Sequence, residues 1–75
     1  MKYVWVVYLT GEIYKAYKTR EEAYEVIKEY IANAEYLPES YKEICLKYLK
    51  DSYERDMNFF SDEGDEWAEK VEIVD

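Results

Sequence analysis

A chain of 75 residues has room for one domain, residues 1–75, and buries only about 60% of the surface that its unfolded form exposes, which excludes a second domain and a deep enzyme cleft. Hydrophobic residues make up 49% and charged residues 37%, enough apolar matter for a core, and the formal net charge is −8. Histidine is absent and there is one cysteine, which removes the commonest general base, an intramolecular disulfide and multi-cysteine zinc or iron–sulfur sites.

Tyr3–Leu9 is a run of seven apolar, β-branched or aromatic residues, predicting a strand covered on both faces or flanked on both edges. The run is too short for a signal peptide and no small-residue cleavage site follows it. No stretch approaches the roughly 20 apolar residues of a membrane span. The expectation is a reduced, cytoplasmic, soluble protein.

Thr10-Gly11 is a turn signal, with Gly supplying a positive φ. Glu12–Lys18 reads as a second strand, more polar and so at an edge. A three-residue loop, Leu9-Thr10-Gly11, places Val7 opposite Ile13, Trp5 opposite Lys15 and Tyr3 opposite Tyr17. Val4 and Val6 then share the other face with Tyr14 and Ala16. A two-residue loop shifts this register by one and exchanges the faces of one strand. The sequence is compatible with both.

Thr19-Arg20-Glu21-Glu22 is a capping box, with its acids suited to the helix dipole. Ala23, Val26, Ile27, Tyr30, Ile31 and Ala34 follow at helical spacing as one apolar stripe, with Glu21, Glu25, Lys28 and Glu29 opposite. Pro38 disfavours the α conformation at Leu37, so the helix should end near Asn33–Tyr36. A second helix is predicted from Glu39 or Ser40, where Ser40-Tyr41-Lys42-Glu43 repeats the capping pattern. Tyr41, Ile44, Cys45, Tyr48, Leu49 and Ser52 form its inner stripe, widened by Leu46, Tyr53, Met57 and Phe60. The pattern weakens after Tyr53, and a bend or fraying is expected near residues 55–60. Ser61–Glu66 reads as a polar loop, and Trp67–Val74 as a third strand with Trp67, Val71 and Ile73 on one face. The predicted fold is α+β: strand, strand, helix, helix, strand. Its three-stranded sheet has the first strand central and the last on its free edge. Two helices pack on one face, leaving a second face rich in Tyr and Trp.

Charge is the most informative feature. Residues 1–50 carry eight acids and eight bases, whereas residues 51–75 carry ten acids and two bases. Such a field repels nucleic acid and anionic membranes and attracts basic protein surfaces. The candidate partner-binding residues are therefore Asp51, Glu54, Asp56, Asp62, Glu63, Asp65, Glu66, Glu69 and Glu72. The plainer alternative is a solvated surface that keeps a small protein soluble and monomeric.

Other motifs carry less chemistry. SDEGDE offers four carboxylates, but no twelve-residue EF-hand frame fits around its Gly. Cys45 on an inner stripe with no histidine partner reads as a small hydrophobe. There is no Gly-rich phosphate loop, and no catalytic, metal or cofactor site is expected. The ten tyrosines suit half-buried positions and interfaces. Tyr30, Tyr41 and Tyr48 read as core bulk, while Tyr3, Tyr8, Tyr14, Tyr17 and Tyr24 are candidates for an interface. Lys15 and Lys18 near Tyr14 and Tyr17 do not overcome a charge of −8, so direct nucleic-acid binding is not expected.

Residues 3–31, a hairpin running into a helix opened by Thr19–Ala23 (TREEA), resemble small uncharacterised proteins of bacteria and their phages. That motif is a capping device and brings no functional residues. In size, charge and aromatic content the chain is similar to phage-encoded acidic inhibitors, including anti-CRISPR and DNA-mimicking proteins. The resemblance implies a non-enzymatic inhibitor of a nucleic-acid-binding protein, its carboxylates standing in for phosphates in a basic groove. The alternative expectation is a structural or adaptor module that forms homodimers or larger oligomers through an aromatic sheet face or a strand edge.

Overall fold

Thr10 and Gly11 both adopt positive φ, at 52° and 80°. Two left-handed residues in succession make the tight turn whose twist matches a β-hairpin. In the computed structural model, which describes residues 2–61 and 65–74, this turn joins β1 (Lys2–Leu9) to β2 (Glu12–Tyr17). The loop is thus the two-residue one, with Leu9 paired to Glu12 and Tyr8 to Ile13. The register then shifts between Tyr8 and Val7, where Tyr14 is the extra residue, and continues as Val7–Lys15, Val6–Ala16 and Trp5–Tyr17. The bulge restores the odd-with-odd pairing of the longer loop, so Tyr17 and Lys15 share a face with Trp5 and Val7. Ile13, on the turn side of the bulge, pairs with Tyr8 on the opposite face.

The chain continues through α1 (Arg20–Ala32), α2 (Glu39–Arg55), β3 (Phe59–Phe60) and β4 (Trp67–Ile73). The architecture is α+β as expected, but the antiparallel sheet has four strands, ordered β2-β1-β4-β3. The most apolar strand is indeed central, with the C-terminal strand beside it. The additional strand, β3, lies where the sequence suggested a fraying helix end. Asp56 is extended (φ −112°, ψ 147°), which ends α2 at Arg55 and frees Phe59 to enter the sheet opposite Ala68.

Both helices cover one sheet face. Trp5, Val7, Ala68 and Phe59 from the sheet meet Ala23, Ile27 and Ile31 of α1 and Cys45 and Leu49 of α2 in one buried cluster. Phe59 is its centre. It is fully buried, and its ring lies 5.1 Å from Tyr53, 6.1 Å from Tyr24 and 6.3 Å from Trp5. Stripe residues Ile44 (56% exposed) and Tyr48 (36%) turn out to face away from this core, and Met57 (61%) lies beyond the helix. The helix is rotated toward Leu46 and Tyr53, because Tyr53 stacks on Tyr24 of α1 at 4.2 Å.

The two helices cap one another. Arg20, the first residue of α1, donates from Nε to the Met57 carbonyl at 3.1 Å and from Nη2 to the carbonyls of Tyr53 and Asp56. The guanidinium carbon lies over the Tyr53 ring, 4.0 Å from its centre, and 5.1 Å from that of Phe59. Reciprocally, Lys42 in the first turn of α2 donates to the Ala32 carbonyl at the end of α1 at 3.2 Å. Each cation meets the negative end of the other helix's dipole and satisfies carbonyls that have no partner within their helix.

Thr19 caps α1 as the sequence suggests: the Glu22 amide donates to its Oγ1 at 3.1 Å, and that hydroxyl donates onward to Glu22 Oε1 at 3.0 Å. Thr19→Ala should therefore lower stability by about 1 kcal/mol, seen as a lower urea midpoint. An unchanged midpoint would show that the cap contributes nothing. Ser40, by contrast, is not a cap. Pro38 occupies that position with no side-chain hydrogen bond, and α2 starts at Glu39.

The face without helices carries half-buried Val4, Val6 and Tyr8 of β1 and, across from them, Val71, Glu69 and Trp67 of β4. Tyr8 and Trp67 stack at 4.4 Å. Phe60 pairs with Trp67 at the same end, while Val4, Val6 and Val71 make the other end aliphatic; Trp5 and Tyr17, by contrast, belong to the helix side. Among the described residues, no helix is long and apolar enough to cross a membrane.

Candidate functional site

The predicted acidic residues do not form one surface. Asp51 and Glu54 are exposed on α2. Asp56 caps that helix and accepts from Arg55 Nη2 at 3.0 Å and from Ser52 Oγ at 3.4 Å. The Arg55 guanidinium, followed by the Ser52 hydroxyl, holds its carboxyl below the usual carboxylate range. Asp62 and Glu63 lie outside the described residues, as does Gly64 between the two acidic pairs of the SDEGDE motif. Asp65 is exposed beside the hairpin turn, where its carbonyl accepts from the Gly11 amide at 2.9 Å. Glu66 is buried (9% exposed) and accepts from Ser61 Oγ at 3.1 Å, so it is part of the packing. Glu69 accepts from the Trp67 indole Nε1 at 3.1 Å on the open sheet face. Glu72 is exposed opposite Tyr3, its alternation along β4 placing it on the face opposite Glu69.

Ion pairing neutralises little of this charge. Among the described residues two ion pairs form, Lys42–Glu39 at 3.4 Å and Arg55–Asp56 at 3.0 Å, both between near neighbours in sequence. Exposed Glu12, Glu29, Asp51, Glu54, Asp65 and Glu72 enter neither. Their field is available to a partner. Among the described residues, no three Cys, Asp or Glu side chains gather as a metal site.

A concavity lies elsewhere in the chain, between β2 and α1. Five of the six residues of β2 are exposed, because α1 and α2 sit over the central strands and the β3 end and leave β2 overhanging. The overhang and the outer side of α1 enclose an open groove of about 620 Å³. Tyr14, Tyr17, Tyr30 and Tyr36 line it, and Glu12 and Glu29 supply its charged groups. No Lys or Arg lines it; Lys15 lies instead over the Tyr17 ring at 5.6 Å. The Tyr30 hydroxyl beside Tyr36, burial, and the negative charge of Glu66 and Asp65 push the Tyr36 phenol up to about 12, so it stays a neutral donor. Burial and nearby Tyr14 and Glu22 also raise Tyr17.

This groove was not legible in the sequence. Tyr30 read as core bulk, whereas it is half-buried at the groove wall. The available signal was the pairing of a polar edge strand with tyrosines at positions 14, 17 and 30, but their convergence depends on the bulge at Tyr14. A smaller groove, lined by Tyr24, Leu46, Lys28, Lys47 and Lys50, separates the two helices. Compared with known protein families, curated proteins and solved structures, the chain matches none.

Proposed function

We propose that this protein is a non-enzymatic protein-binding module that takes the basic, nucleic-acid-binding surface of another protein and so inhibits it. The observation that carries this reading is the set of exposed carboxylates outside both ion pairs, on a domain of formal charge −8. Such a surface speeds encounter with a cationic partner and makes the complex salt-sensitive.

The test is capture of binding proteins from a host-cell lysate at low and high salt, with and without duplex DNA as competitor. The variant for comparison is Asp51→Lys, Glu54→Lys, Asp65→Lys and Glu72→Lys combined. It spares Asp56, Glu66 and Glu69, whose carboxylates serve the fold. Each reversal adds two units, so the formal charge rises from −8 to zero. The expected result is a nucleic-acid-binding protein that is displaced by DNA, released by salt and lost in the variant. Capture that withstands salt, ignores DNA and survives the four reversals would overturn the reading. It would favour the second one, an oligomerising or adaptor module, for which the support is the open face with Val71 at 38% and Ile73 at 41% exposure.

A further inference from the structure

We infer that the groove between β2 and α1 is a docking site for an extended, arginine- or lysine-bearing segment of a protein partner, laid along the open edge of β2. The inference rests on the reading of the protein as a binder of basic proteins and gives that binding a place. Three observations lead to it.

First, β2 pairs on one side only. Among the described residues its sole strand partner is β1, so its outer main-chain groups can accept another strand. Second, the groove beside that edge suits side chains projecting from such a strand. Its volume is about 620 Å³, and four tyrosines in its walls present apolar faces and hydroxyl tips. Third, the groove is complementary to a cation. Glu12 stands on β2 and Glu29 on α1, and no basic residue lines the space between them. Asp65, hydrogen-bonded through its carbonyl to Gly11 next to Glu12, adds a further carboxylate at the turn end. An arginine entering here meets carboxylates on both walls and tyrosine faces for cation–π stacking. A phosphate-bearing ligand meets repulsion from Glu12 and Glu29.

The test uses a synthetic hexapeptide of alternating arginine and valine, matched to the six residues of β2. It is titrated into the isotopically labelled protein at low salt while amide and tyrosine resonances are followed. The expected result is perturbation of the amides of Glu12–Tyr17 and of the rings of Tyr30 and Tyr36. Glu12→Lys with Glu29→Lys should weaken binding by roughly tenfold or more. Asp51→Lys with Glu54→Lys should weaken it several-fold less than the groove pair does, because those acids do not line the groove and act on the peptide only through the screened long-range field. N-methylation of alternate peptide amides should abolish the β2 perturbations if the peptide adds as a strand. Both pairs of reversals alter exposed residues, and unchanged urea midpoints confirm that the fold is intact.

Three results would overturn the inference. One is absence of β2 perturbation at millimolar peptide. Another is peptide binding that responds to the Asp51/Glu54 reversals and not to Glu12/Glu29; the acidic-surface reading would then stand while the groove fails. The third is a set of β2 shifts that grow with protein concentration alone, which would mark the edge as a contact between copies of this chain. If the peptide docks as expected but no nucleic-acid-binding protein is captured from lysate, the groove stands and the inhibitor reading fails.

Discussion

Phe59→Ala should lower the free energy of unfolding by about 3–5 kcal/mol, the range for truncating a fully buried aromatic. A chain of this size has roughly 4–11 kcal/mol in total, so the variant should be largely unfolded or molten at room temperature. The loss has three sources. The ring is fully buried, and it makes edge contacts with Tyr53 and Tyr24 and a tilted one with Trp5. Its removal leaves a cavity between sheet and helices that rigid neighbours cannot close. It also weakens the hold of α2 on the two-residue β3, leaving the Phe60–Tyr48 contact at 5.8 Å and the Phe60 amide's bond to Ser52 Oγ at 3.2 Å. Phe59→Leu, which restores most of the volume, should recover more than half of the loss. Urea denaturation followed by tyrosine and tryptophan fluorescence measures both. A Phe59→Ala protein with a near-native midpoint would show that β3 is not part of the cooperative core.

Arg20→Ala should cost about 2–4 kcal/mol, more than an exposed helix residue would. Three carbonyls at the end of α2, those of Tyr53, Asp56 and Met57, lose a charged donor, and the Tyr53 ring loses the guanidinium stacked on it. Arg20→Lys should recover little of this. An ammonium is a compact point charge, and the planar fork is what reaches the carbonyls of Tyr53, Asp56 and Met57 together while staying over the Tyr53 ring. Arg20→Met keeps most of the stem packing and isolates the polar share. Because Arg20 and Phe59 are in contact (5.1 Å), the double mutant should be less destabilised than the sum of the singles. Strict additivity would mean that the clamp and the aromatic cluster act separately. Arg20→Lys with wild-type stability would mean that charge alone, without the fork, holds the end of α2.

The features that were legible in the sequence are those set by neighbours within one turn or one strand. The β1 run, the Thr19 cap, the buried α1 stripe of Ala23, Ile27 and Ile31, and the period of β4 all have that local origin. The start of α2 at Glu39 also follows from Pro38, although a cap at Ser40 lies two residues beyond the observed one. What was not legible depends on distant partners. Phe59-Phe60 is too short to show a period and continues the spacing of α2, so it read as helix. Arg20 sits inside a capping motif, and nothing local betrays carbonyl partners between 33 and 37 residues away. The rotation of α2 away from Ile44 and Tyr48 is decided by the Tyr24–Tyr53 stack.

The candidate site is hidden from the sequence for a related reason: acids adjacent along the chain need not be adjacent in space. Alternation along β4 sends Glu69 and Glu72 to opposite faces, and Glu66 turns inward to Ser61. The acids that meet at the groove, Glu12 and Glu29, come from the charge-balanced half of the chain, where a net-charge map shows nothing.

The position of β4 bears on how the chain is made as well as on how it stands. This strand fills the middle of the sheet, with Lys2 paired to Ile73. During synthesis the hairpin and both helices emerge first, while β1 offers one bare edge bearing Val4, Val6 and Tyr8. Joining segments so distant in sequence carries the largest loop-closure entropy in the fold, so this pairing completes late. Until Trp67–Ile73 has cleared the ribosome, a nascent chain exposes the stickiest strand it has. The acid-rich residues 51–75 are made after the charge-balanced residues 1–50, so their negative field is missing during that interval.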